Sequence, residues 1–105
     1  MITAEFYLKN ERFIGFSVRG HAGFAESGRD IVCAAVSSAV ELTANGITEI
    51  LHMDAAVDVF ENEVKLLLPD TQNQTAVQFL QALRLQMELI GEEYSGRLRL
   101  LDMEV

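Results

Sequence analysis

The stretch DIVCAAVSSAVELTANGITEIL, residues 30–51, decides the fold. Asp30 is a good helix N-cap, because its carboxylate can accept hydrogen bonds from the unpaired N–H groups of a first turn. From Ile31 to about Leu51 the apolar positions fall on most faces of a helix: Val32, Ala34, Ala35, Val36, Ala39, Val40, Leu42 and Ile47 among them. A helix of that kind is expected to be buried rather than surface-lying. Its small side chains, Ala34 to Ala39, permit close backbone approach. Asn45-Gly46 is the place where such a helix would end or kink, so its last turns are the least defined.

The flanking segments read as strands. Before the helix, Ile2 to Leu8 is rich in β-formers, Asn10-Glu11 looks like a tight turn, and Arg12 to Arg19 alternates Phe13, Ile14, Phe16 and Val18 with small or polar residues. That pattern predicts an antiparallel hairpin. After the helix, Ala55–Phe60 and Glu63–Leu68 are short β-like runs around Glu61-Asn62, stopped by Pro69 and Asp70. Gln72 to about Glu92 then places Ala76, Phe79, Leu80, Leu83, Met87 and Ile90 at three- and four-residue spacings, an amphipathic helix. Gly91 and Gly96 bracket its end, and Arg97–Glu104 is a last strand. The expected order is β-β-α-β-β-α-β: an α+β fold with a mostly antiparallel sheet and both helices packed on one face.

The 105 residues fit one domain, residues 1–105, with no linker or repeat. The net charge of −8 repels phosphate backbones and attracts basic partners, so direct nucleic-acid binding is not expected. The eight cations are scattered, which argues against a membrane patch. No segment is expected to approach the roughly 20 apolar residues that span a bilayer. A single cysteine excludes an intramolecular disulfide and favours a reducing compartment. With no signal-peptide pattern at residues 1–9, the expected location is the cytoplasm.

Cys33 is the candidate nucleophile. With Asp30 as cap it falls in the first helical turn, where unpaired N–H groups stabilise a thiolate and lower the thiol pKa from about 8.5. The alternative is a small buried apolar residue, which lone cysteines often are. His21 lies twelve residues earlier, on a loop with three glycines in the ten residues from Gly20 to Arg29. Such a loop can fold back to set an imidazole beside a helix N-terminus, and Cys–His pairing is the usual way to activate a thiol. Asp30 either caps the helix or orients His21, and capping is the more economical role because its charge opposes a nearby thiolate. Ser37, one turn after Cys33, either supports the nucleophile or bonds its own backbone. Phe24 either packs the loop down or covers a site as part of a lid. His52 with Asp54 makes a poor metal site, and no zinc, Rossmann or P-loop pattern is present.

Gly20-His21-Ala22-Gly23, followed by Gly28-Arg29-Asp30-Ile31-Val32-Cys33-Ala34-Ala35-Val36-Ser37, closely resembles the bacterial ribosomal-processing cysteine protease family, Prp. The resemblance extends to chain length and element order, although the C-terminal half carries no signature of its own. It implies a dimeric α+β enzyme that removes a short N-terminal extension from a large-subunit ribosomal protein, without metal or cofactor. It implies that the family's catalytic His and Cys fall on His21 and Cys33, and its conserved Asp and Ser on Asp30 and Ser37. It further implies that the loop holding Gly20, Ala22, Gly23, Phe24 and Gly28 moves when substrate binds. An acidic enzyme suits a basic ribosomal substrate. The other readings are a non-catalytic dimeric assembly factor that binds a basic ribosomal protein and, less favoured for want of a resolving cysteine, a thiol redox sensor.

Overall fold

The computed structural model describes residues 1–20, 31–69 and 73–105. The elements are β1 (Ile2–Lys9), β2 (Arg12–Arg19), α1 (Ile31–Asn45), a π-helical segment (Gly46–Ile50), β3 (Ala56–Phe60), β4 (Glu63–Leu67), α2 (Gln74–Glu93) and β5 (Leu98–Glu104). The β-β-α-β-β-α-β order is the expected one. Asn10 and Glu11 both take left-handed backbone angles (φ 52° and 65°), as a two-residue turn between right-twisted strands requires.

The strands form one sheet in the order β3-β4-β2-β1-β5. Three pairings are antiparallel, but β1 and β5 run parallel from Ile2–Leu98 to Leu8–Glu104, so the sheet is mixed. The reason is the connection. A strand that leaves through a helix returns pointing the same way, whereas a tight hairpin reverses it. α2 carries the chain from β4 across the sheet to the far edge, where β5 finds β1.

Alternation along the strands sends Ile2, Ala4 and Phe6 of β1, Phe16 and Val18 of β2 and Leu66 of β4 into one core. The helices fill it with Val32, Val36, Val40 and Ile47 from one, and Leu80, Leu83, Met87 and Ile90 from the other. The Asn73 side chain caps α2, accepting a hydrogen bond from the Ala76 N–H (3.0 Å). Midway along the helix Arg84 ties α2 to β5, donating from Nε and Nη2 to the two Asp102 oxygens at 2.8 and 2.6 Å.

Two expectations need correction. The first helix is not buried all round: Ile31, Ala34, Ala35, Ser38 and Leu42 are exposed, Leu42 at 71%. Two helices laid side by side on a five-stranded sheet cover each other on one flank and the sheet on another, and nothing covers the outer surface of α1 among the described residues. The second is that no segment long and apolar enough to span a bilayer was expected, yet the helical stretch contains one. Ile31–Ile50 contains a window with mean hydropathy 1.4, long and apolar enough by length and composition to cross a bilayer. Alanines and valines lift that mean, and the stretch's Val32, Val36, Val40 and Ile47 belong to the core beneath the sheet. At Asn45-Gly46 the helix widens rather than ends: the Leu51 N–H reaches the Gly46 carbonyl five residues back (3.0 Å). A Cβ on Gly46 would lie 2.6 Å from the Phe79 ring, so glycine lets α1 and α2 meet there.

Candidate active site

Cys33 is the third residue of α1 and is half-buried, its inner side packed against the core. Its outer side lines a groove of about 250 Å³ between α1, the end of β2 and the β3–β4 turn. The geometry follows from helical spacing. With Val32, Val36 and Val40 facing the core, residues 33, 37 and 41 line up on the neighbouring flank at intervals of four. Accordingly Ser37 and Glu41 join Cys33 on the groove wall. Val18, Val64 and Phe60 supply apolar lining from the strands.

Gly20 lines the same groove. It ends β2 with φ +93°, its N–H donates to the Asn62 carbonyl (2.9 Å), and a Cβ there would sit 2.6 Å from the Met1 carbonyl oxygen. Only glycine fits without strain. The residue bonded to its carbonyl is His21, so the chain enters the His21 peptide unit from a groove position. His21, Ala22, Gly23, Phe24, Gly28 and Asp30 lie outside the described residues. Of the candidate site residues, therefore, the structure brings together Cys33, Ser37 and Gly20. His52 is exposed, at φ 55°. No group of three or more His, Cys, Asp or Glu side chains able to hold a metal occurs among the described residues.

Electrostatically the groove is lopsided. Among the described residues Glu41, Glu61 and Glu63 line it against one cation, Arg19. Arg19 is engaged on the sheet face away from the helices, where its Nη1 lies 3.5 Å from Glu5 Oε1 and donates to Ser17 Oγ at 3.2 Å. The buried Ser17 hydroxyl in turn donates to Glu63. Tyr7 donates to the same Glu5 oxygen (3.2 Å), and burial, then the Glu5 carboxylate, raises its pKa above the ordinary phenol value. This network fixes the end of β2 at the groove. Sequence reasoning missed Glu41, Asn62 and the strand valines as site residues. Glu41 was legible, because it follows Cys33 and Ser37 at the same helical interval.

Comparison with known proteins places this arrangement. The family model for cysteine protease Prp matches residues 1–99. The ribosomal processing cysteine protease Prp of Bacillus subtilis (strain 168) is 28% identical over 92 residues, covering 82% of each chain. That of Staphylococcus aureus (strain Mu50) is 29% identical over 103 residues, covering 95% of this chain and 97% of the relative. The crystal structure of S. aureus Prp in complex with a covalently linked product peptide superposes with a TM-score of 0.93 at 27% identity, over 98% of this chain and 100% of the other. A half-buried cysteine at the mouth of a helix, opening on a groove of peptide dimensions, thus sits in a chain that belongs to the cysteine protease Prp family.

Proposed function

We propose that this cysteine protease removes the N-terminal extension of a large-subunit ribosomal protein during bacterial ribosome assembly, with Cys33 as nucleophile and His21 as its general acid and base. The observation that carries the reading is the position of Cys33, in the first turn of α1 and on the wall of the groove. The family relative from S. aureus was solved with a product peptide covalently linked to it, which supports a covalent intermediate here.

The chemistry follows from those groups. In this reading His21 serves Cys33 as its proton partner while substrate is bound, and the segment with Ala22, Gly23, Phe24 and Gly28 contacts the substrate. The Cys33 thiolate attacks the scissile carbonyl carbon, and the oxyanion is held by N–H groups at the start of α1. The C–N bond breaks as His21, as imidazolium, gives its proton to the leaving amine. A water molecule then loses a proton to His21, attacks the thioester, and releases the new carboxyl end and the thiolate. Asp30 either caps α1 or orients His21, capping being the more economical role, and Ser37 borders the reacting groups one turn along. No metal or cofactor takes part. The enzyme works in the cytoplasm as a homodimer, on a basic protein chain rather than on nucleic acid or membrane.

The test is a peptide carrying the ribosomal protein's N-terminal extension, followed by mass spectrometry. The expected result is a single cut that disappears in Cys33→Ala while the circular dichroism spectrum stays the same. Peptide binding without a cut under reducing conditions would instead make the chain a binding factor, with Cys33 as a packing residue.

A further inference from the structure

We propose that Glu41, seconded by Glu61, makes the groove select a peptide carrying a lysine or arginine three or four residues from the bond that is cut. The inference rests on the protease reading and adds to it a specificity determinant.

Three observations carry it. First, the groove continues as an apolar track. Val57 and Val59 stand opposite Leu66 and Val64 in the β3–β4 register, so they share the helix-facing side of the sheet, yet neither helix covers them and Val59 is 72% exposed. An extended segment lying along α1 would rest its apolar side chains there. Second, the charges that the described residues place along the track are one-sided. Arg19 is occupied by Glu5 and Ser17, and Glu63 accepts from Ser17, but Glu41 and Glu61 form no ion pair among the described residues. Those two exposed carboxylates border an apolar floor and complement a cation on the occupant.

Third, the helix sets the spacing. Glu41 follows Cys33 by eight residues, about 12 Å along the axis at about 1.5 Å per residue. An extended peptide covers that distance in three or four residues at about 3.3 Å each. The cation that meets Glu41 therefore lies at that remove from the bond presented to Cys33.

The experiment uses full-length Cys33→Ala protein and fluorescent apolar peptides containing the cleavable bond. A lysine is moved one position at a time across four residues on either side of the bond, with norleucine as the uncharged control. Fluorescence anisotropy should find binding tighter by about fivefold when lysine stands three or four residues from the bond, the size expected of a groove-edge ion pair. That gain should vanish in about 1 M salt, where the screening length is about 3 Å. It should vanish also in the Cys33→Ala, Glu41→Gln double variant, whose fold is checked by circular dichroism. Equal binding of lysine and norleucine peptides at every position overturns the proposal, as does a gain that survives Glu41→Gln. Cleavage by the native protein separates this from the protease reading. Cutting without lysine preference sinks the selectivity alone. Lysine-selective binding without cutting sinks the protease reading and leaves the selectivity standing.

Discussion

The two helices of this molecule divide its labour, and the sequence pattern of α1, unlike that of α2, misleads about its part. α2 is the more amphipathic, with Leu80, Leu83, Met87 and Ile90 on one stripe and charged residues elsewhere. The stripe is all core, and α2 works by holding the sheet together. α1 is apolar nearly all round, the pattern of a helix built to be hidden, yet its outer surface is bare and its flank carries Cys33, Ser37 and Glu41. What separates the helices is coverage. α2 is fixed by a cap, a core stripe and a bidentate ion pair to β5, whereas α1 leaves one flank uncovered, and that flank holds the reactive side chain.

If the division is real, truncating α2 should cost stability and spare the chemistry. Leu80→Ala empties a fully buried site and should lower the unfolding free energy by about 2–5 kcal/mol, measured by urea denaturation, with cleavage per folded molecule retained. Loss of cleavage without loss of stability would mean that α2 reaches into the site. The contact between the helices is the next target. Gly46→Val would drive a branched side chain into the Phe79 ring, for about 1–3 kcal/mol of overpacking. Because Gly46 lies thirteen residues beyond Cys33, thiol alkylation at the groove should keep its native rate while the melting temperature falls. A changed alkylation rate would show that the seam between the helices also sets the position of the nucleophile.

Legibility followed the range of the interactions. Strands and helices were readable because their periods are local: the β1–β2 alternation, the Asn10-Glu11 turn and the α2 stripe each lie within one segment. The parallel β1–β5 pairing was not, because it depends on where α2 delivers the chain. The apolar character of Ile31–Ile50 was legible, but its bilayer-spanning mean hydropathy was not expected, because polar Ser37, Ser38, Glu41, Thr43 and Asn45 interrupt the apolar run. At the site, Cys33 and Ser37 were legible as neighbours one helical turn apart, and the motif that joins them to His21 was legible as a resemblance. The opposite wall of the groove, Val18, Val64, Asn62 and Phe60, comes from strands and the β3–β4 turn, which carry no chemical signature. Only the tertiary fold sets them across from α1.

The smallest expected effect concerns the tie between α2 and β5. Arg84 holds Asp102 with two parallel hydrogen bonds, and the Asp102 partner is the first reason its pKa stands above the ordinary guanidinium value. Arg84 also lies 3.3 Å from Glu88 one turn along. Both acidic partners are exposed, so salt and solvent screen the pair, and Asp102→Asn should cost at most about 1 kcal/mol. Since β5 is an edge strand whose backbone pairing with β1 does not depend on that side chain, the sheet should hold. Urea denaturation in low and high salt checks this: the variant's deficit should shrink as ionic strength rises. A deficit of several kcal/mol, insensitive to salt, would mean that β5 is fixed to the sheet through α2 rather than through β1. The scaffolding role of α2 would then extend to the edge strand itself, and the contrast with the open flank of α1 would be sharper than the core packing alone requires.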